Sequence, residues 1–410
     1  MLFLALTLVL IGVYPFFISG QLENSLVRWM ILVLAGSTLV DYFFLGKYRV
    51  LLTANQEGYV VALIQAAGTI VNVVVSIFLI YIGAGVLFVK AVATGVYMLR
   101  LVLVKIYVKR KYPALDFYAE PNEGALKQKN AALLHQVVGI IVNNTDTTVL
   151  TICLGAKSLL EVSVYGIYMM VVNAVNQLMT SFSNGLTAGF GEVIAKNEEE
   201  TLKKSYSSYE YMYFVIMFIV IACMGVLILP FVGVYTINLT DVQYVRPVLG
   251  ILFTLIVFMQ NVRIPGLTII CAAGHYKETR YQAILEAVIN ITVSLGLVWK
   301  FGMAGVLLGT VCSYGYRSFE IVFYTSRHLV KGCAKKSMFR ILRNVFTVAI
   351  LCTVGTYVIP QEITSFTTWF LYAIGMGLTS VFFVVVINYV VEPDEFMQLR
   401  HRVNDIIKKE

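Results

Sequence analysis

Apolar residues along this chain come in blocks of about twenty, separated by short polar or charged segments. An α-helix rises about 1.5 Å per residue, so a block of this length covers the ~30 Å hydrocarbon core of a bilayer. The pattern therefore predicts membrane-spanning helices. Twelve such stretches occupy residues 1–19, 28–46, 60–82, 84–106, 131–155, 159–182, 209–236, 245–268, 280–299, 302–326, 341–359 and 366–391.

The composition supports this prediction. Of the 410 residues, 59% are hydrophobic and only 13% are charged, about half the charged share of an ordinary soluble domain. This balance excludes a soluble enzyme, a disordered tail protein and a secreted disulfide scaffold. The six cysteines show no metal-binding spacing, so we expect neither a metal site nor a cofactor.

The distribution of basic residues predicts how the chain lies in the membrane. Lys and Arg total 31, against 23 acidic residues. If both termini are cytoplasmic, all but eight basic residues fall on the cytoplasmic side; four are outside and four lie within spans. Cytoplasmic loops are enriched in Lys and Arg, so this arrangement predicts twelve crossings with both termini cytoplasmic. Because the basic residues are spread over many loops, nucleic-acid binding is not expected.

Longer basic loops and an internal repeat predict the domain organisation. Residues 54–76 align without gaps with residues 272–294, which predicts an all-α polytopic membrane protein with two pseudo-repeated lobes. In this alignment the first lobe lacks two N-terminal helices of a six-helix unit. The predicted parts are 1–106 (N-terminal lobe, four helices), 107–130 (cytoplasmic linker), 131–326 (C-terminal lobe, six helices), 327–340 (basic cytoplasmic loop), 341–391 (two further helices) and 392–410 (cytoplasmic tail).

Polar residues inside spans are costly in lipid and usually face a cavity or a neighbouring helix. The fifth stretch is the richest: His135, Gly139, Asn143 and Asp146 follow at i, i+4, i+8 and i+11 and share one helical face. One interpretation is the wall of a hydrated cavity in which Asp146 binds a proton or a cation. The other is a polar helix that hydrogen-bonds to its neighbours.

The sixth stretch carries three more polar side chains, Asn173, Asn176 and Gln177. They extend the same cavity or form hydrogen bonds between helices, and the sequence does not favour either interpretation.

Four cations fall within spans and are candidates for contacts with an anion. Lys90 and Arg263 are the best placed. Arg317 has Glu320 three residues further on, which also fits a local ion pair. Arg100 lies near a span end, where a long side chain is expected to extend its charge to the interface. Glu286 either pairs with a cation across the bundle or lies near the inner surface.

No catalytic motif is present, which leaves transport, signalling or scaffolding as function classes. The segments 126–135 (LKQKNAALLH), 143–151 (NNTDTTVLT) and 181–196 (SFSNGLTAGFGEVIAK) resemble the Wzx-type polysaccharide-biosynthesis family. That family belongs to the multidrug/oligosaccharidyl-lipid/polysaccharide exporter superfamily. The resemblance extends over almost the whole chain, although family members have two further helices before residues 1–19.

The resemblance implies a flippase of the bacterial cytoplasmic membrane that carries an undecaprenyl-diphosphate-linked oligosaccharide, such as an O-antigen, capsule or exopolysaccharide unit. It implies alternating access, coupling to H⁺ or Na⁺, and association with membrane lipids, a polysaccharide polymerase and glycosyltransferases. A cationic cavity would suit Lys90 and Arg263, and Asp146 matches an acidic position of the family. The alternatives are a multidrug or cation exporter of the same superfamily, a membrane-embedded glycan polymerase, and a scaffold without transport activity.

Overall fold

The structure is a computed structural model that describes residues 7–12, 23–55, 57–113, 115, 129–155, 158–183, 186–360 and 362–398. All regular secondary structure in these ranges is helical. The α-helices are α1 Asn24–Val40, α2 Gly46–Ala54, α3 Gly58–Tyr81, α4 Val86–Lys111, α5 Lys129–Cys153, α6 Ser158–Ser183, α7 Leu186–Ala195, α8 Glu199–Tyr235, α9 Pro247–Val262, α10 Ile264–Ala272, α11 Arg280–Phe301, α12 Met303–His328, α13 Ala334–Val358 and α14 Phe366–Val391.

The chain divides into two compact units, residues 1–121 and 122–410. The boundary falls inside the predicted linker 107–130, and the two predicted C-terminal helices belong to the second unit.

In the first unit, α1 and α3 both pack against α4. A short π-helical segment, Asp41–Leu45, joins α1 to α2. A small core of Leu45, Tyr48, Leu52, Val104 and Val108 lies where α2 meets the end of α4. The most apolar window of α3 is unburied by the rest of the unit, as expected for a helix whose neighbour is lipid.

The second unit is built around α8, whose 37 residues pack against α9, α13 and α14. α11 and α12 form a close antiparallel pair that packs on α5 and, through α12, on α9. Gly302 joins the pair in a conformation with φ of 56°, which a residue without Cβ adopts at little cost. At Gly309 a methyl group would lie 2.2 Å from Ser294 Oγ. Glycine therefore allows α11 and α12 to approach closely, and it brings their polar side chains together.

Within the described residues, eight candidate spans are long and apolar enough to cross a membrane: Gly58–Tyr81, Val86–Lys111, Ser158–Ala195 (in which 184–185 lie outside the described ranges), Glu199–Tyr235, Pro247–Ala272, Arg280–Phe301, Ala334–Val358 and Phe366–Val391. The predicted all-α polytopic fold is confirmed.

The other predicted spans give a less simple picture. Stretches 131–155 and 302–326 lie on α5 and α12, which carry buried polar side chains such as Asp146 and Thr310. Stretch 28–46 lies on α1, which has 17 residues, and its helical conformation continues through the π segment. Of stretch 1–19, only residues 7–12 lie within the described ranges, and they are helical. The number of twelve crossings therefore stays a prediction.

Candidate functional site

A polar cavity of about 550 Å³ lies in the second unit among α5, α6, α9 and α12. Its polar lining consists of Asn143, Asn144, Asp146, Thr147, Tyr165, Asn173, Asn176, Gln260, Thr310 and Tyr314. We call it the larger cavity. The helical spacing that predicts a shared face for Asn143 and Asp146 agrees with this placement.

The Asp146 carboxylate is the buried anionic group of this cavity, with 4% of the residue exposed. Thr310 Oγ donates to it at 2.7 Å, and the Tyr165 hydroxyl donates at 3.3 Å. Within the described residues no cation pairs with it. A buried carboxylate needs several donors or a counter-charge. Asp146 therefore has capacity left to bind a proton or a cation.

The neighbouring helix pair adds further polar groups around this carboxylate. Asn290 Nδ2 donates at 3.0 Å to the same Thr310 hydroxyl that donates to Asp146. Asn290 is fully buried, and its Oδ1 has no hydrogen-bond partner among the described residues. Carboxylate, hydroxyl and amide oxygens are hard ligands suited to a small hard cation.

The candidates on α6 have different positions. Asn176 donates from Nδ2 to Gln260 at 2.9 Å and accepts from Asn261 Nδ2 at 2.9 Å, so it lines the larger cavity while joining α6 to α9. Asn173 lines the cavity without a described hydrogen bond. Gln177 is exposed and is not part of the lining.

A smaller cavity of about 210 Å³ lies beside the first, and its lining includes His135, Asn143, Arg263, Glu286, Tyr314 and Arg317. Asn143 and Tyr314 line both cavities, and the Tyr314 hydroxyl donates to Asn143 Oδ1 at 3.0 Å. The two polar regions therefore meet at one hydrogen bond. His135 Nε2 lies 2.9 Å from the Tyr276 carbonyl and donates to it.

The two arginines of the smaller cavity are already paired with carboxylates. Arg263 Nη1 donates to Glu286 Oε1, and Arg317 Nη1 donates to Glu320 Oε2 at 2.5 Å. Glu286 Oε2 also lies 3.6 Å from Arg317 Nε. We call these four residues the arginine cluster. Glu286 thus pairs with a cation across the bundle, and Arg317 forms the local pair with Glu320. A substrate anion would have to compete with these carboxylates for the arginines.

Lys90 does not lie at either cavity. It belongs to α4 in the first unit, where its side chain is exposed. Its role as an anion contact stays a prediction.

Arg100 differs from the expectation that its charge extends to the interface. Only 7% of the residue is exposed, and its Nη2 donates to the Thr69 hydroxyl at 3.0 Å. The absence of a side chain at Gly68 makes room for it, because a Cβ there would lie 2.2 Å from Arg100 Nε. Packing against α3 therefore holds this guanidinium inside the first unit.

Sequence reasoning missed the groups that complete the site, namely Tyr165, Gln260, Asn261, Thr310 and Tyr314. On α12, Thr310, Ser313, Tyr314 and Arg317 lie at i, i+3, i+4 and i+7, so they share a face. That signal was available. The partners across helices were not, since periodicity does not show which helices pack together.

A second ion network, missed by the sequence analysis, lies at the ends of α8, α13 and α14. Arg340 and Arg343 are predicted to be charges of a basic cytoplasmic region, yet Arg340 is only 1% exposed. Arg340 contacts Glu210 at 3.0 Å and Glu392 at 2.7 Å, and Arg343 contacts Glu392 at 2.8 Å. This network fastens the segment after α14 to the rest of the unit.

Comparison with known proteins gives a likeness of fold. No protein-family model matches this chain, and no curated protein matches it. A solved structure of the lipid II flippase MurJ in an inward closed conformation is similar to it, with a TM-score of 0.61 and 14% sequence identity. The similarity covers 95% of this chain and 81% of the MurJ chain. The chain is therefore a multi-pass α-helical membrane protein with a MurJ-like fold.

Proposed function

We propose that this protein is a transporter that moves an undecaprenyl-diphosphate-linked oligosaccharide across the bacterial cytoplasmic membrane by alternating access. The fold likeness to a lipid II flippase supports transport of a lipid-linked substrate. The resemblance of segments 126–135, 143–151 and 181–196 to Wzx-type proteins supports an oligosaccharide unit of a surface polysaccharide. Both termini are cytoplasmic in this proposal, with a polymerase and glycosyltransferases as partners.

The observation that carries the proposal is the larger cavity with Asp146 inside a bundle of apolar helices. A charged side chain in a membrane bundle costs about 2.5–3.5 kcal/mol or more, and it is usually retained for function. Amides at Asn143, Asn173 and Asn176 donate and accept hydrogen bonds, which suits the hydroxyl groups of a sugar.

The remaining candidates divide into substrate and ion contacts. Arg263 and Arg317 are proposed to meet the diphosphate, because guanidinium groups bind phosphate oxygens well. His135 is proposed as a polar contact in the smaller cavity, and Lys90 as a separate anion contact within the first unit. Asp146 is proposed to couple transport to H⁺ or Na⁺. Its support is the uncompensated charge and the Thr310 hydroxyl beside it, which Asn290 in turn contacts.

One specific observation favours a second candidate, a multidrug or cation exporter. The larger cavity contains a carboxylate without a described counter-cation, while both arginines of the smaller cavity are paired. Such a lining attracts an organic cation more readily than a free anion. The two functions differ in the charge of the substrate.

Reconstitution separates these functions. Purified protein in liposomes should expose a fluorescent undecaprenyl-diphosphate oligosaccharide to an impermeant quencher on the opposite side, faster than empty liposomes do. Asp146→Asn, which keeps the shape and removes the charge, should abolish the dependence on an imposed ion gradient. Thr292→Val is the control, because the Thr292 side chain bonds only carbonyls of its own helix.

Each alternative predicts another result in the same liposomes. Uptake of a lipophilic cation without movement of the lipid would favour the exporter, and elongation of the glycan would reveal a polymerase. If the lipid crosses no faster than in empty liposomes, the flippase proposal fails. In cells, deletion of the gene should remove surface polysaccharide, and the intact gene should restore it.

A further inference from the structure

Glu286 lies between two arginines, Arg317, which is buried, and Arg263, which is largely buried. Its Oε1 accepts a hydrogen bond from Arg263, and its Oε2 lies 3.6 Å from Arg317 Nε. The two arginines are not equivalent, because Arg317 has a second carboxylate, Glu320, at 2.5 Å. Within the described residues Glu286 is the only carboxylate paired with Arg263. Glu286 therefore supplies the negative charge that compensates the Arg263 guanidinium.

Arg263 is held in place by more than this ion pair. Its guanidinium lies 4.5 Å from the centre of the Tyr314 ring, a distance at which a cation is attracted to the aromatic face. Its Nε is buried and has no hydrogen-bond partner among the described residues. The side chain borders the smaller cavity, as do Glu286 and Arg317. An anion entering this cavity would meet an oriented guanidinium with an unused donor.

We propose that Glu286 is an internal competitor for the anionic group of the substrate. It binds Arg263 when the smaller cavity holds no substrate, and it yields Arg263 to a phosphate group when the substrate enters. The inference rests on the proposed function for the identity of the anion, a phosphate or diphosphate. It adds a residue that sets the affinity of the site.

The exchange is physically reasonable because it leaves no buried charge unpaired. An isolated charge in a protein interior costs several kcal/mol, so Arg263 needs an anion beside it in both states. A released Glu286 carboxylate still lies close to Arg317, which serves as its counter-charge. The arginine cluster therefore keeps a partner for every ion with or without bound phosphate.

The competition also serves transport. A carrier must release what it binds, and net movement requires different binding in the two states. A carboxylate that returns to Arg263 weakens the hold on phosphate and favours release. Without it, the site should bind phosphate more tightly and turn over more slowly.

The test measures binding of inorganic pyrophosphate to the full chain in detergent by titration calorimetry. Glu286→Gln keeps the shape and removes the competing charge, so the dissociation constant should fall about tenfold or more, a difference of about 1.4 kcal/mol per factor of ten. Arg263→Ala introduced together with Glu286→Gln should remove that gain. In liposomes, Glu286→Gln should slow movement of the lipid-linked oligosaccharide.

Glu161→Gln is the matched control. Glu161 forms a bidentate pair with Arg246, at 2.8 and 2.9 Å, outside the arginine cluster. If freeing any arginine raised the affinity, this variant would show an equal gain, and the inference would fail. It would also fail if Glu286→Gln bound pyrophosphate no better than the wild type, or if neither bound it.

Two measures keep the outcome clear. If Glu286→Gln does not fold, Glu286→Asp retains the charge on a side chain shorter by one methylene. It should show a smaller gain in affinity, and no gain would contradict the inference. Binding of pyrophosphate does not require transport. A gain in affinity by a protein that moves no lipid would contradict the proposed function and leave the inference standing; the reverse result would contradict the inference alone.

Discussion

The environment of Asp146 shows how one neutral side chain stabilises a buried carboxylate. Asp146 accepts two hydrogen bonds, and Thr310 donates the shorter one, at 2.7 Å. The Thr310 hydroxyl also accepts a hydrogen bond from Asn290. Thr310→Val removes the hydroxyl and keeps the shape. A buried acceptor deprived of a donor costs about 1–3 kcal/mol, so the thermal unfolding temperature should fall.

Thr292→Val is the matched substitution on α11, since this exposed hydroxyl bonds only carbonyls of its own helix. Its unfolding temperature should equal that of the wild type. Equal temperatures for both variants would show that the Thr310 hydroxyl does not stabilise Asp146.

The sequence pattern predicted the residues that α5 contributes to the site, but it did not predict their partners on other helices. The spacing of Asn143 and Asp146 predicted a shared face, and both line the larger cavity. Thr310 and Tyr165 could not be assigned as their partners, because the pairing depends on which helices pack together. The sequence also did not reveal which charges are buried. Arg340 lies in a basic loop and was expected to be exposed, but carboxylates from α8 and from the segment after α14 surround it.

At the scale of elements, the close approach of α11 and α12 holds Asn290 beside Thr310. Gly309→Ala would place a methyl group 2.2 Å from Ser294 Oγ and 2.7 Å from Ser294 N. The helices must then separate, and overpacking of this kind costs about 1–3 kcal/mol. We expect a lower unfolding temperature and, because the oxygen atoms around Asp146 move apart, weaker dependence of transport on the ion gradient.

Gly315→Ala provides the comparison on the same helix, because a methyl group there meets no atom within 4 Å. Alanine favours helix over glycine by up to about 1 kcal/mol, so this variant should be as stable as the wild type or more stable. If both glycine variants behaved alike, close packing of α11 on α12 would not explain the site.

The segment after α14 should detach at low pH. Burial raises the pKa of Glu392, but hydrogen bonds from Arg340 and charge pairing lower it by more, so this pKa lies below its ordinary value of 4.5. Burial also raises the pKa of Glu395, and the contact with Lys336 lowers it, so that this pKa too lies below its ordinary value. A carboxylate whose pKa is lower in the folded protein than in the unfolded chain stabilises the folded form. This stabilisation is complete at a pH above the ordinary pKa, and it is lost as the pH falls through the pKa of the folded protein.

Hydrogen exchange of residues 392–398 tests this expectation. Exchange corrected for its intrinsic pH dependence should be constant above pH 4.5 and should rise as the pH falls further. Arg340→Met removes a cause of the lowered pKa, so exchange should be faster at neutral pH and should rise less as the pH falls below 4.5. Lys331→Met is the control, because its contact with Glu199 joins two exposed side chains; the same change in this variant would contradict the explanation.

At the scale of the whole molecule, hydropathy identified most of the fold because lipid imposes a simple rule on length and composition. It identified α3 and α14, whose mean hydropathy is high over their whole length. α5 and α12 are not among the eight runs that are long and apolar enough to cross a membrane, because their polar residues reduce the mean hydropathy. Both line the cavities, so two of the helices that carry the candidate chemistry have a weak membrane signal.

The predicted orientation of the chain rests on its charge distribution and can be tested by labelling. The positive-inside rule predicts that Lys335, in the basic loop 327–340, is cytoplasmic and that Lys300, at the end of α11, is outside. Both side chains are exposed. In a background with all six free cysteines replaced by serine, Lys300→Cys should react with a membrane-impermeant thiol reagent in intact cells, and Lys335→Cys only after permeabilisation. The opposite labelling would show that the predicted topology is inverted. Labelling of both sites in intact cells would show that α12, the helix between them, does not cross the membrane.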